Sequence, residues 1–159
     1  MLAELFTATW CGFCPYATDA INKLAEEYGS SLAVLQYHPQ DPDPFGNEET
    51  DARIASYGID GYPTMIFDGT VREVGGYDET YAQYKRIIES RLESPTEVSI
   101  ALNGNLGNFA AEVAASSLLS QHSAKVRFVI YEKDIPYDAP NGEKIFTFTV
   151  RRILDEEPI

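Results

Sequence analysis

Apolar and polar positions change their period several times along this chain, and the changes mark its elements. Leu2-Ala-Glu-Leu-Phe-Thr7 reads as a short buried strand. From Gly12 to about Tyr28, Phe13, Ala17, Ala20, Ile21, Leu24 and Ala25 keep helical spacing, and Gly29 closes the run. Leu32 to Tyr37 is an unbroken β-rich run, the pattern of a strand covered on both faces. Pro39 to Pro44 holds three prolines and two aspartates and predicts a loop. Asn47 to Tyr57 predicts a second helix, stopped by Gly58. Gly61 to Gly69 reads as turn, strand, turn; Thr70 to Gly75 is its hairpin partner, and Tyr77 to Leu92 is a third helix. The expected order is β-α-β-α-β-β-α.

Ser94-Pro95 breaks this pattern, and the chain beyond it alternates with period two. Val98, Ile100 and Leu102 form one set, Phe109, Ala111 and Val113 a second, Val126, Phe128 and Ile130 a third, and Phe146, Phe148 and Val150 a fourth. Asn103-Gly104-Asn105 and Pro140-Asn141-Gly142 supply turns. Two domains are therefore expected: residues 1–93, α/β, and residues 96–159, a small all-β unit, immunoglobulin-like or a partial sandwich, with its Tyr and Phe in the core. Four strands cannot comfortably close a sandwich, which usually takes about seven. Either they pack on the first domain, or the chain stops before the last strands.

Composition narrows the classes. Hydrophobic residues at 44% and aromatics at 12% belong to a folded protein. The net charge of −13 argues against the basic face that nucleic-acid binding requires and reads as a solubilising surface. No run of about 18 apolar residues exists to span a membrane. No basic segment followed by an apolar one opens the chain, yet a strand already starts at Leu2. The expectation is that Met1 stands where a leader was removed.

The chemistry resides in Cys11 and Cys14, the only cysteines, set between a short strand and an amphipathic helix. Thiol–disulfide exchange needs an attacking thiolate and a second thiol near enough to resolve the mixed disulfide. At a helix start, unpaired N–H groups and the dipole lower the pKa of the first cysteine. Cys11 is thus the expected exposed nucleophile, and Cys14, one turn in, the resolving thiol. Pro15 suits a first turn. A plain disulfide is the bland alternative, although so short a loop stabilises a fold little. A zinc site would need Cys11, Cys14, His38 and His122, whose spacing fits no usual finger. Pro63, in Gly61-Tyr-Pro-Thr64, opens a strand and in a tight turn can be cis, exposing the backbone of Tyr62 to an extended peptide. His38 closes the second strand and is either a packed neutral residue or an aid to proton transfer. Glu4 can serve as a base only if it points toward Cys14.

The element order, with Trp10-Cys-Gly-Phe-Cys14 after strand one and Tyr62-Pro63-Thr64 before strand three, resembles the thioredoxin superfamily over about residues 2–93. The resemblance implies a cis Pro63 lying against the cysteines and a Tyr62 backbone that bonds a bound peptide. Three features depart from thioredoxin itself. No strand and helix precede Leu2, the dipeptide is Gly-Phe rather than Gly-Pro, and Leu5 stands at the position of a buried aspartate. A narrower set is similar to the family related to the bacterial 28-kDa outer-membrane protein. It comprises Phe6-Thr7, Cys11-x-x-Cys14-Pro15, Tyr37-His38, Asp43-Pro-Phe45, Arg53, Tyr57-Gly58, Gly61-Tyr-Pro-Thr64, Asp68-Gly69 and Val150-Arg151-x-x-Leu154. Those are exported proteins or lipoproteins with a thioredoxin-like core and a following β-sandwich. This resemblance implies a periplasmic or outer-membrane location and a sandwich that continues past this chain.

The expected function is thiol–disulfide oxidoreduction on exported protein substrates. Cys11 attacks, Cys14 resolves, Trp10, Tyr62 and Pro63 hold the partner, and no metal or organic cofactor takes part. The competing readings are a non-enzymatic surface or binding module with a static bridge, and a redox sensor.

Overall fold

A computed structural model describes residues 1–94, 96, 98–105, 108–115 and 125–158. In chain order the elements are β1 (Leu2–Phe6), α1 (Cys14–Tyr28), a 3-10 turn (Gly29–Ser31), β2 (Ala33–Tyr37), α2 (Glu48–Ser56), β3 (Thr64–Phe67), β4 (Val71–Val74) and α3 (Thr80–Leu92). They continue with β5 (Val98–Asn105), β6 (Asn108–Ala115), β7 (Lys125–Val126), β8 (Val129–Glu132), β9 (Ile135–Pro136), β10 (Ile145–Phe146), β11 (Thr149–Ile153) and β12 (Glu157–Pro158). The order expected for the first ninety-odd residues is the order found.

Successive side chains of a strand point to opposite faces, and β1 uses both. Ala3 and Leu5 join Ala17, Ile21 and Leu24 of α1 and Tyr84 and Ile88 of α3 in one core. Phe6 faces the other way, into a core with Leu35, Tyr37, Ile66 and Val150, flanked by Ile54 and Tyr57 from the α2 side. The helix α2 starts at a capping box. Asn47 Oδ1 accepts from the N–H groups of Glu49 and Thr50, and Thr50 Oγ1 accepts from the Asn47 N–H.

The main sheet runs β4-β3-β1-β2-β11-β8, so two strands from the second half of the chain extend it past β2. β11 lies parallel to β2 and antiparallel to β8. Of the two outcomes expected for the C-terminal strands, packing on the first unit holds for these two. Among the described residues the remaining strands form two-stranded sheets: β5 with β6, β9 with β10, and β7 with β12.

Three details differ from the alternation reading. Asn103, Gly104 and Asn105, expected as a turn, are strand, paired with Ala110, Phe109 and Asn108. The set Val126–Ile130 is divided between β7 and β8, and the set Phe146–Val150 between β10 and β11, where Phe148 takes φ 55°. That kink sends the chain from one sheet into another. Ile100 and Leu102 alternate as core residues do, but they are 66% and 67% exposed; among the described residues β5 and β6 pair only with each other. Tyr131 and Tyr137 are likewise exposed, whereas Phe146 is buried as expected.

Candidate functional site

Cys11 and Cys14 are joined in a disulfide with their Cα atoms 5.4 Å apart. α1 begins at Cys14, so Cys11 sits in the turn before the helix and not within its first turn. The Cys14 N–H donates to the Cys11 carbonyl at 3.2 Å. Cys14 is fully buried, as a resolving cysteine should be, but Cys11 is only 6% exposed. The reason is local: Ala8 and Tyr62 pack on the pair, and the Tyr62 carbonyl oxygen lies 3.5 Å from Cys11 Sγ. The Tyr62–Pro63 peptide is cis. Trp10, 45% exposed, meets the Tyr62 ring edge-on at 5.8 Å. Cys11, Cys14, Trp10, Tyr62 and Pro63 therefore form one patch.

Gly76 closes the patch from the α3 side. A Cβ there would stand 2.2 Å from the Phe13 carbonyl and 3.2 Å from Pro63, so the backbone approach depends on glycine. Beside it, Pro15, Tyr16, Tyr77 and Tyr81 line a groove of about 350 Å³ between α1 and α3.

The cysteine loop is held from below. Thr9 N–H donates to Asp43 Oδ2 at 2.6 Å, Phe45 N–H donates to Oδ1 at 3.1 Å, and His38 Nδ1 lies 3.2 Å from Oδ2. His38 is buried against Phe45 and Phe146, and its Nε2 has no partner among the described residues. It meets Asp43 and those rings, while Trp10 meets Tyr62. Burial by itself would raise the Asp43 carboxyl, but His38 and the two N–H donors outweigh it and hold the group below the usual carboxylate range. A depressed pKa stabilises the fold above the unfolded value of about 3.9 and is lost as pH falls through the folded value. Asp43→Asn is therefore expected to cost about 1–3 kcal/mol at neutral pH and to flatten the acid limb. Urea denaturation of both proteins from neutral to acid pH measures this; parallel acid limbs would remove Asp43 as the cause.

Glu4 is a correction. It lies on the α2 side of β1, across the sheet from the core that α1 and α3 share. Both its oxygens accept from Arg53, at 2.9 Å each, and Tyr57 Oη donates to Oε2 at 2.8 Å. Burial, with Glu4 beside it, pushes Tyr57 up to about 12. Glu4 has a structural partner and does not serve the cysteines. Asp43 and Asn141 went unassigned in the sequence because loop residues carry no period. Asn141 had only its place beside a turn-forming proline, and Asp43 that and its part in the narrower family resemblance. The zinc reading falls partly on His122, which lies outside the described residues.

No family profile matches the chain. Over 61 residues, 38% of the chain, it is 33% identical to a thioredoxin of the alga Pyropia yezoensis. It spans about half the length of that relative. Over 99% of its length it superposes on a crystal structure of a protein from Agrobacterium tumefaciens, with a TM-score of 0.70 and 19% identity, covering 75% of that chain. The mixed sheet with its helices fits a thioredoxin-like fold. The paired cysteines at the start of α1 and the disulfide between them fit a redox role. Among the described residues, no helix is long and apolar enough to cross a membrane.

Proposed function

We propose that the protein is a thiol–disulfide oxidoreductase acting on exported protein substrates, in the periplasm or at the outer membrane. The observation that supports this best is the Cys11–Cys14 disulfide at the start of α1 with the Tyr62 carbonyl 3.5 Å from Cys11 Sγ. In the reducing direction the Cys11 thiolate attacks a sulfur of the partner's disulfide; that S–S bond breaks and one partner sulfur leaves as a thiolate. Cys14 then loses its proton and attacks Cys11 Sγ. The mixed disulfide breaks, the second partner sulfur leaves, and the two leaving thiolates take up protons. The opposite direction runs the same steps in reverse. Backbone groups of Tyr62 pair with the extended partner, and Trp10 covers the sulfur's flank. Export rests on the narrower family resemblance of the sequence.

The second reading, a surface or binding module with a static bridge, draws on the low exposure of Cys11. The reduction potential separates the two. A value between about −120 and −270 mV with turnover of a model disulfide is expected; one below about −300 mV without turnover marks a structural bridge.

A further inference from the structure

The turn around residues 139–143 hydrogen-bonds to the cysteine loop from the second half of the chain. The Asn141 N–H donates to the Thr9 carbonyl at 3.0 Å. Asn141 Nδ2 lies 3.2 Å from the Ala8 carbonyl, 3.3 Å from the Cys11 carbonyl and 2.6 Å from Glu143 Oε2. Asn141 Oδ1 accepts from the Glu143 N–H at 3.1 Å, which fixes the amide's orientation. One side-chain amide thus ties the Glu143 carboxylate to the Cys11 peptide.

Glu143 is also near α1. The Thr18 hydroxyl favours its ionised form but makes no full hydrogen bond. Thr18 follows Cys14 by four residues, so both lie on one buried face of the helix, neighbours one turn apart. The carboxylate is bracketed between the Cys11 carbonyl and the helical turn that carries Cys14. Among the described residues no cation forms an ion pair with it. The titratable groups that face it are His38 just past β2, itself held by Asp43, and Asp19 on α1. Burial raises its carboxyl above the usual range, and Asn141, Thr18 and His38 offset only part of that.

We propose that Glu143, held by Asn141, is a positioning residue of the cysteine pair, whose charge sets how readily Cys11 and Cys14 give up protons and hence the balance of dithiol and disulfide. This rests on reading the pair as redox-active. An ionised carboxylate tied through Asn141 to the Cys11 carbonyl opposes a second negative charge on sulfur; a protonated one does not. When a dithiol such as dithiothreitol reduces the pair, the protein's S–S bond breaks and the reagent's own S–S bond forms. The reagent's two protons pass to the protein sulfurs or, where a thiolate results, one passes to solvent. Glu143 acts on that last partition.

The test is a redox titration of the intact protein against dithiothreitol, from acid to alkaline pH, with thiolate absorbance followed in parallel. Glu143→Gln is expected to lower the thiol pKa and to shift the equilibrium toward the dithiol form near neutral pH by up to about tenfold, equal to about 30 mV. It also removes one inflection from the pH dependence. Glu143→Asp keeps the charge and retains an inflection. Asn141→Ala moves the equilibrium the same way by less, and adding it to Glu143→Gln brings no further shift. A Glu143→Gln protein that is folded and has the wild-type midpoint and thiol titration overturns the proposal. Should that variant not fold, an Asp variant whose inflection stays where the wild type has it does the same. Because the titration requires no turnover of a protein substrate, a protein that fails as an oxidoreductase can still show the Glu143 shift, and the reverse.

Discussion

Cys11→Ser is expected to abolish disulfide exchange, while Cys14→Ser stalls it after the first step. A serine hydroxyl is not ionised near neutral pH and cannot form a disulfide, so Cys11→Ser leaves no nucleophile. Cys14→Ser keeps the attacking sulfur and lacks the one that resolves. The mixed disulfide then persists as a covalent adduct of partner and protein that dithiothreitol releases. Stability should respond alike in both variants, by about 2 kcal/mol, since each opens the same short loop. The contrast between equal stability and unequal trapping isolates the roles. Mass spectrometry of the adduct with a model disulfide peptide checks it. Adducts forming on Cys14 in the Cys11→Ser protein would reverse the assignment, and no adduct in either variant would return the pair to a structural bridge.

The second large effect lies away from the sulfur. Arg53→Met is expected to cost about 3–5 kcal/mol, because it strands the Glu4 carboxylate, 1% exposed, without its two guanidinium donors. Burial disfavours charge on Arg53 as well, yet Glu4 outweighs this and raises its pKa, so the pair is held by mutual compensation. Removing both charges with Glu4→Gln and Arg53→Met should recover much of the loss, since the neutral amide can still accept from Tyr57. Arg53→Lys keeps the charge and loses the two-pronged geometry, so it should fall between. Urea unfolding midpoints at constant slope measure all three. A double variant no more stable than Arg53→Met would mean that lost packing, not the stranded charge, carries the cost.

The first half of the fold was legible because its elements are local and periodic. Ala17, Ile21 and Leu24 mark a helix face without any knowledge of what covers it. Tyr62-Pro63 and the cysteine pair could be paired only through the resemblance, because fifty residues separate them. The second half was harder for a stated physical reason. Period-two alternation marks a strand but not its partner, so Ile100 and Leu102 read like Val150 although only Val150 is buried. The kink at Phe148 has no signature in composition. Around the site, Asp43 and Asn141 looked like turn formers, which they are. Their side chains also hold Thr9, Ala8 and Cys11, a long-range use that local pattern does not encode. The role of Glu4 stayed open in the sequence because a strand's two faces cannot be told apart until something covers them.

The parallel seam between β2 and β11 bears on how the protein is made. The Gln36 N–H donates to the Phe148 carbonyl at 2.8 Å, and Thr149 sits opposite Gln36. While the chain is emerging from the ribosome, the flank of β2 is an open row of donors and acceptors until β11 has been made. Throughout that interval the nascent protein presents a sheet margin on which another unfinished copy could add a strand. Synthesis order, more than final stability, therefore decides how long the molecule stays vulnerable to pairing with the wrong chain.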